Sequence, residues 1–267
     1  MCASPKSVSH ANRHRLTCIP SRRMGSRMSP DALQDLVKQC LEAFYTRRIS
    51  NLSGLRLKDV LKRKNPYLLR AIGIRTASEL VEYLLQMHTQ ASDETIFGET
   101  FVEPIALAVS GGHKSSAKGI DLEVDAGTVY KAIAVKSGPN VFNSSQTARM
   151  NDEFQELYHR LRQHLSQLGK QFDPVLGCAY GKRVSPPTTK RRYRIVSGKA
   201  FWEELTGDPE FYLKLVRLMQ DYPEQQKQRY QQEWAKAVNR FTRDLLNEFA
   251  DSSGALDWEK ILHFNAG

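Results

Sequence analysis

A chain of 267 residues, 40% hydrophobic and 25% charged, makes one large domain or two small ones and folds without a disulfide or metal staple. Aromatics at 9% and well-spread aliphatics exclude collagen-like and fully disordered classes, and no apolar run approaches the roughly 18–20 residues of a membrane helix. The formal net charge of +10 points to a polyanionic partner.

Residues 1–28 hold six cations, Lys6, Arg13, Arg15, Arg22, Arg23 and Arg27, with no acid and no apolar stretch of the kind a secretory signal needs. They read as a disordered basic prefix or a misplaced start, with Met24 or Met28 as the true one. Cys2, Cys18, Cys40 and Cys178 form no C-x-x-C pair, so a zinc site or disulfide framework is not expected and a reducing compartment is.

Four helical stretches follow. Residues 30–47 carry Leu33, Leu36, Val37, Cys40, Leu41 and Phe44 at helical spacing. Residues 52–63 make a short second piece, broken at Lys64-Asn65-Pro66-Tyr67. Residues 76–89 align Leu80, Val81, Leu84, Leu85 and His88. Ser92-Asp93-Glu94 reads as the acidic start of another helix running to Ala108.

At residue 110 the pattern changes. Residues 110–119, with three glycines and three serines, read as a loop. Residues 120–124 and 129–136 then alternate in period 2 about Asp125-Ala126-Gly127-Thr128 and predict a β-hairpin. A loop at 137–145 leads to an amphipathic helix through Met150, Phe154, Leu157, Leu161, Leu165 and Leu168. A strand is predicted at 175–180, a basic loop at 182–194, a strand at 193–196, and helices at 200–205, 210–222, 224–249 and 258–262. This order indicates an α/β fold, divided into a prefix (1–28), a helical N-terminal part (29–91), a core (92–200) and a helical C-terminal part (201–267).

The hairpin carries the chemistry. Side chains alternate between faces of a strand, so Ile120, Leu122 and Val124 combine with Val129, Ile133 and Val135 as the core face. The other face presents Asp121, Glu123, Ala132, Ala134 and Lys136. Carboxylates are the ligands that Mg²⁺ prefers, and a nearby lysine can orient a water or offset charge on a phosphodiester. Pairing Asp121 opposite Ala134 sets Glu123 opposite Ala132 and requires a longer turn or a bulge. The tighter turn at Ala126-Gly127 would draw Lys136 away from Asp121.

A Gly-Ile-Asp strand, a tight turn and a second strand ending in Lys136 resemble the PD-(D/E)XK nuclease superfamily. The run Ala134-Val135-Lys136-Ser137-Gly138-Pro139-Asn140, followed by Asn143-Ser144-Ser145-Gln146, resembles type II restriction endonucleases of the PmeII type. Lys64-Asn65-Pro66-Tyr67-Leu68, Phe97-Gly98-Glu99, Gly177-Cys178-Ala179-Tyr180-Gly181, Gly198-Lys199-Ala200-Phe201-Trp202 and Leu256-Asp257-Trp258-Glu259-Lys260 extend the likeness over residues 30–267.

That resemblance implies a restriction-endonuclease-like core of order αβββαβ, with a mixed central sheet and extra helices at both ends. It implies Mg²⁺-dependent cleavage of double-stranded DNA at a specific site by a cytoplasmic prokaryotic enzyme. Asp121 would bind the metal and Lys136 would be the catalytic lysine. The acid expected two residues before Lys136 is Ala134, so Glu99 or Glu123 must replace it. Ser137, Asn140 and Gln146 would contact substrate. A homodimer and a companion DNA methyltransferase are expected with it. The alternatives are a catalytically degenerate DNA-binding protein and a structure-selective repair nuclease.

Loop 182–194 is the expected DNA-binding element, through Lys182, Arg183, Lys190, Arg191, Arg192 and Arg194. This loop and the prefix each contribute +6, leaving −2 for the rest of the chain.

Overall fold

The computed structural model describes residues 28–139 and 142–267. The prefix therefore lies outside the described residues except for Met28, as does Asn140.

Ser29 caps the first helix, α1 (Pro30–Gly54), by accepting from the Ala32 N–H, with Pro30 set where a missing N–H costs nothing. Two short helices follow, α2 (Leu57–Leu61) and α3 (Pro66–Ala71). The run Lys64-Asn65-Pro66 starts a helix as well as ending one. The Asn65 carboxamide accepts from the N–H groups of Tyr67 and Leu68, with Pro66 at the first turn.

Helix α4 (Ala77–Phe97) opens on a capping box between Thr76 and Glu79. No helix begins at Ser92. The Asn51 carboxamide donates to the Ser92 hydroxyl, and Asp93 receives the Arg48 guanidinium, so these polar side chains face α1 and the helix runs through them. It continues into a π-helical turn at Gly98–Val102 and then α5 (Glu103–Ser110). Wide turns of this kind recur at functional sites.

The sheet has six strands: β1 (His113–Lys114), β2 (Leu122–Ala126), β3 (Val129–Lys136), β4 (Gln171–Cys178), β5 (Val184–Ser185) and β6 (Arg194–Ser197). Their order is β1-β2-β3-β4-β6-β5. β1, β2 and β3 are antiparallel neighbours, β3, β4 and β6 are parallel, and β5 returns antiparallel to β6. Helix α6 (Ser144–Gln167) makes the crossover from β3 to β4. A mixed sheet between helical ends meets the α/β expectation. The two-residue strands β1 and β5 fall where the sequence reads only as loop.

The hairpin pairs Leu122 with Ile133 and Glu123 with Ala132, down to Ala126 with Val129. The register that sets Asp121 across from Ala134 is thus the one formed. It closes over the two residues Gly127 and Thr128, with Gly127 at φ +76°, so no bulge is needed.

The sheet is buried on both faces. On one, Leu122, Ile133, Val135 and Val175 pack with Val37, Phe101 and Ile105 from the N-terminal helices. Phe201 and Trp202 of α7 (Lys199–Thr206) and Phe211 and Leu215 of α8 (Phe211–Met219) complete that layer. On the other, Ala132 and Ala134 lie under Met150, Phe154 and Leu157 of α6. The alanines therefore do not floor an open pocket; their small size lets α6 approach the sheet. Ile120 also packs there, because the left-handed Gly119 (φ +74°) turns the chain before β2 begins.

A separate helical core joins Leu57, Leu61, Leu80 and Leu84 to Phe241 and Leu245 of α9 (Tyr222–Phe249) and Ile261 of α10 (Trp258–Ala266). Cys40 and Cys178 are free, buried thiols. No described helix is long and apolar enough to cross a membrane.

Candidate active site

Asp121 sits just before β2. Its N–H donates to the Ile133 carbonyl at 2.9 Å, and its Oδ2 accepts from the Val135 N–H at 2.6 Å. Lys136, the last residue of β3, brings its Nζ to 3.7 Å from the same Oδ2. The two side chains are 24% and 31% exposed, so the pair is reachable from solvent at the sheet's end. Register and strand alternation alone put these groups together.

Beside the pair lies a cleft of about 460 Å³, between the end of β3 and the helix that crosses it. Its lining includes Glu94, Glu99, Glu103, Lys136, Ser137 and Tyr180. Two glycines permit the approach of its walls. A Cβ on Gly98 would stand 2.9 Å from Ser137 Oγ, and one on Gly138 would run into the Tyr180 ring. The Ser137 hydroxyl donates to the Glu94 carbonyl at 3.4 Å and ties β3 to α4.

Glu103, in the first turn of α5, carries no motif that marks it in the sequence. It lines the cleft with Lys136 and lies within electrostatic reach of Asp121. Burial raises its carboxyl above the ordinary carboxylate range; Asp121 and Glu99 raise it further, while Lys136 pulls it down. Burial likewise raises Asp121, against the opposing pull of Lys136 and the Val135 N–H. The signal available in the sequence was an acid one helical turn beyond Glu99, on the helix before the hairpin.

A carboxylate whose folded pKa is raised favours the fold when protonated, and this contribution is lost as pH rises through the folded value. Glu103→Gln therefore raises the melting temperature of the metal-free protein at pH 8 by roughly 2 °C, and the gain shrinks towards pH 4. Thermal denaturation at the two pH values reads this; a lower melting temperature at pH 8 would contradict it.

The other expected acids are placed differently. Glu99 lines the cleft but forms an ion pair with Arg47 of α1. Neither Asp121 nor Glu123 is among the residues lining the cleft, but Asp121 is partly exposed beside Lys136, whereas Glu123 is buried and accepts from the Tyr130 hydroxyl at 2.6 Å. Gln146 is occupied in the capping box of α6, where its side chain accepts from the Asn143 N–H.

Loop 182–194 is not a uniformly solvated basic loop. Its first part pairs as β5. Arg191 is buried, donating to the carbonyls of Tyr193 and Pro186 and to the Ser185 hydroxyl, because the turn closes around its guanidinium. Arg194 is held by Asp173 and Glu204, and Glu204 also receives Lys131. Arg192 is exposed but tied to α6, donating through its backbone to Asn151 and through its side chain to Gln155. Lys182, Arg183 and Lys190 are exposed. The loop thus offers fewer free cations than its sequence promises.

Among the described residues, no three His, Cys, Asp or Glu side chains gather as a metal cluster. Asp121 and Glu103 nevertheless fit a hard divalent cation: two half-buried carboxylates repel each other beside one lysine. Mg²⁺ is commonly held by one or two carboxylates and completes its shell with water.

The family model described as type II restriction endonuclease EcoO109I matches residues 31–228, well over half of the chain. No curated protein matches the chain.

Proposed function

Since the chain belongs to the type II restriction endonuclease EcoO109I family, we propose that it is a Mg²⁺-dependent, site-specific endonuclease of PD-(D/E)XK type, with a Lys136–Asn140 run that resembles PmeII-like enzymes. The mixed sheet with helices at both ends is compatible with such a fold. The observation that carries the reading is the Asp121–Lys136 pair, 3.7 Å apart at the open end of β3.

Asp121 and Glu103 are the carboxylates that would hold the cation, with Glu103 in place of the acid absent at Ala134. When bound, the cation supplies positive charge to the phosphodiester and makes water a better nucleophile. Lys136 Nζ stands beside Asp121, where it can orient the attacking water and offset charge on the phosphate oxygens. The water oxygen forms the new P–O bond and gives up a proton to solvent, the P–O bond to the leaving sugar oxygen breaks, and that oxygen takes up a proton from solvent. Ser137 and the exposed Tyr180 also line the cleft. Lys182 and Arg183 follow directly and offer phosphate contacts. Double-strand cutting calls for two active sites, so a homodimer is part of the reading, as is a companion methyltransferase protecting the host's own sites.

Incubation of the purified chain with several plasmids tests this. Discrete fragments that need Mg²⁺ are expected. Cleavage confined to branched DNA would favour a repair nuclease, and DNA binding without cleavage under any divalent cation would favour the degenerate alternative.

A further inference from the structure

We propose that the outer face of the segment carrying α2 and α3 is a second contact surface for duplex DNA, separate from the cleft. Residues 56–75 carry seven cations and one acid, a net +6. Residues 28–267 sum to +4, so without this segment and loop 182–194 the remainder stands at −8. Positive charge outside the prefix is thus concentrated in two places, only one of which adjoins the cleft.

The fold fixes which way these cations point. Leu57, Val60, Leu61, Leu69 and Ile74 are buried in the helical core, leaving Arg56, Arg63, Arg70 and Arg75 exposed. Lys58 and Lys62 are paired, with Glu248 and Asp59. Among the described residues Arg56, Arg63, Lys64 and Arg75 form no ion pair. Tyr67, Leu68 and Ile72 project between the cations at 67%, 49% and 49% exposure. A field of uncompensated charge is felt inside as well: burial, then Lys64 and Arg63, depress the pKa of His88, whose Nε2 is buried without a partner.

Charge decides the occupant. A two-fold contact with a second copy through this face would set +6 against +6. A polyanion is complementary, and phosphate neutralisation with counterion release drives such binding. The choice of DNA among polyanions rests on the proposed function.

The test is fluorescence anisotropy of the full chain on a 30-base-pair duplex in EDTA, across a salt series. Arg63→Gln/Lys64→Gln/Arg75→Gln is expected to weaken binding by about 10-fold or more and to lower the log–log salt slope by about 2–3. Lys227→Gln/Arg229→Gln/Lys236→Gln, which removes equal charge from exposed positions of α9, is expected to change affinity by less than about 3-fold. The charge-retaining Arg63→Lys/Arg75→Lys pair should keep the parent slope, which excludes a folding defect. Equal losses in both triple variants, or no loss in the first, would overturn the surface while leaving the endonuclease reading standing. A parent protein that neither binds nor cuts DNA would overturn both. A change of sedimentation behaviour without a change in DNA binding would assign the face to a second copy and overturn the proposal.

Discussion

Lys136→Ala is expected to lower the single-turnover rate of DNA cleavage by about 10³-fold while the protein stays folded. The side chain is partly exposed at the end of β3 and contributes one ion pair, so its removal opens no cavity in the core. What it takes away is the cation closest to Asp121, whose carboxyl burial already pushes upward. The residual activity should therefore shift to higher pH, because Asp121 must ionise without its partner. Quenched-flow cleavage across pH, with circular dichroism as a folding control, measures both effects. A variant that cuts within a few fold of the parent rate would remove Lys136 from the chemistry.

Arg194→Ala acts on stability instead. Its guanidinium donates to Asp173 at 2.8 Å and to Glu204 at 2.8 Å, and Lys131 reaches Glu204 at 2.8 Å. Burial alone would raise Glu204, but Arg194 and Lys131 outweigh it and hold its carboxyl below the ordinary value. Losing the arginine leaves two half-buried carboxylates facing one lysine. Breaking a fully buried pair costs about 3–5 kcal/mol. Since 24% of Arg194 and 23% of each acid remain exposed, a loss of about 2–4 kcal/mol is expected. At this chain size that is a fall of roughly 5–15 °C in Tm. Urea denaturation checks it; a loss below about 0.5 kcal/mol would show that the network is ornamental. The sign for acid stability also follows: a depressed Glu204 contributes stability present above its unfolded value and lost as pH falls through the folded one.

These two residues show what a sequence discloses and what it withholds. Strand alternation and register put Asp121 and Lys136 on one face, and the structure pairs them. That the alanines between them lie beneath α6 was not legible, because a small residue reads alike under a helix and under solvent. Arg194 belongs to a basic run in sequence, yet its partners Asp173 and Glu204 come from β4 and α7. Arg191 was equally opaque: a charge run gives no sign that a turn will close around one guanidinium. Glu103 lies eighteen positions before Asp121 on a different element, and only the packing of the helix against β3 brings the two within reach. The polar Ser92-Asp93-Glu94 looked like a helix start because nothing local reveals that α1 supplies its partners.

In the proposed mechanism Glu103 replaces the acid missing at Ala134 and keeps the Asp121–Lys136 site active. The most direct measurement compares Mg²⁺-dependent single-turnover cleavage by Glu103→Gln and Glu123→Gln under identical conditions. Loss of about 10²-fold or more in Glu103→Gln is expected, with Glu123→Gln within a few fold of the parent, because a buried Gln still accepts from Tyr130. Parent-like cleavage by Glu103→Gln, or an equal loss in Glu123→Gln, would contradict it.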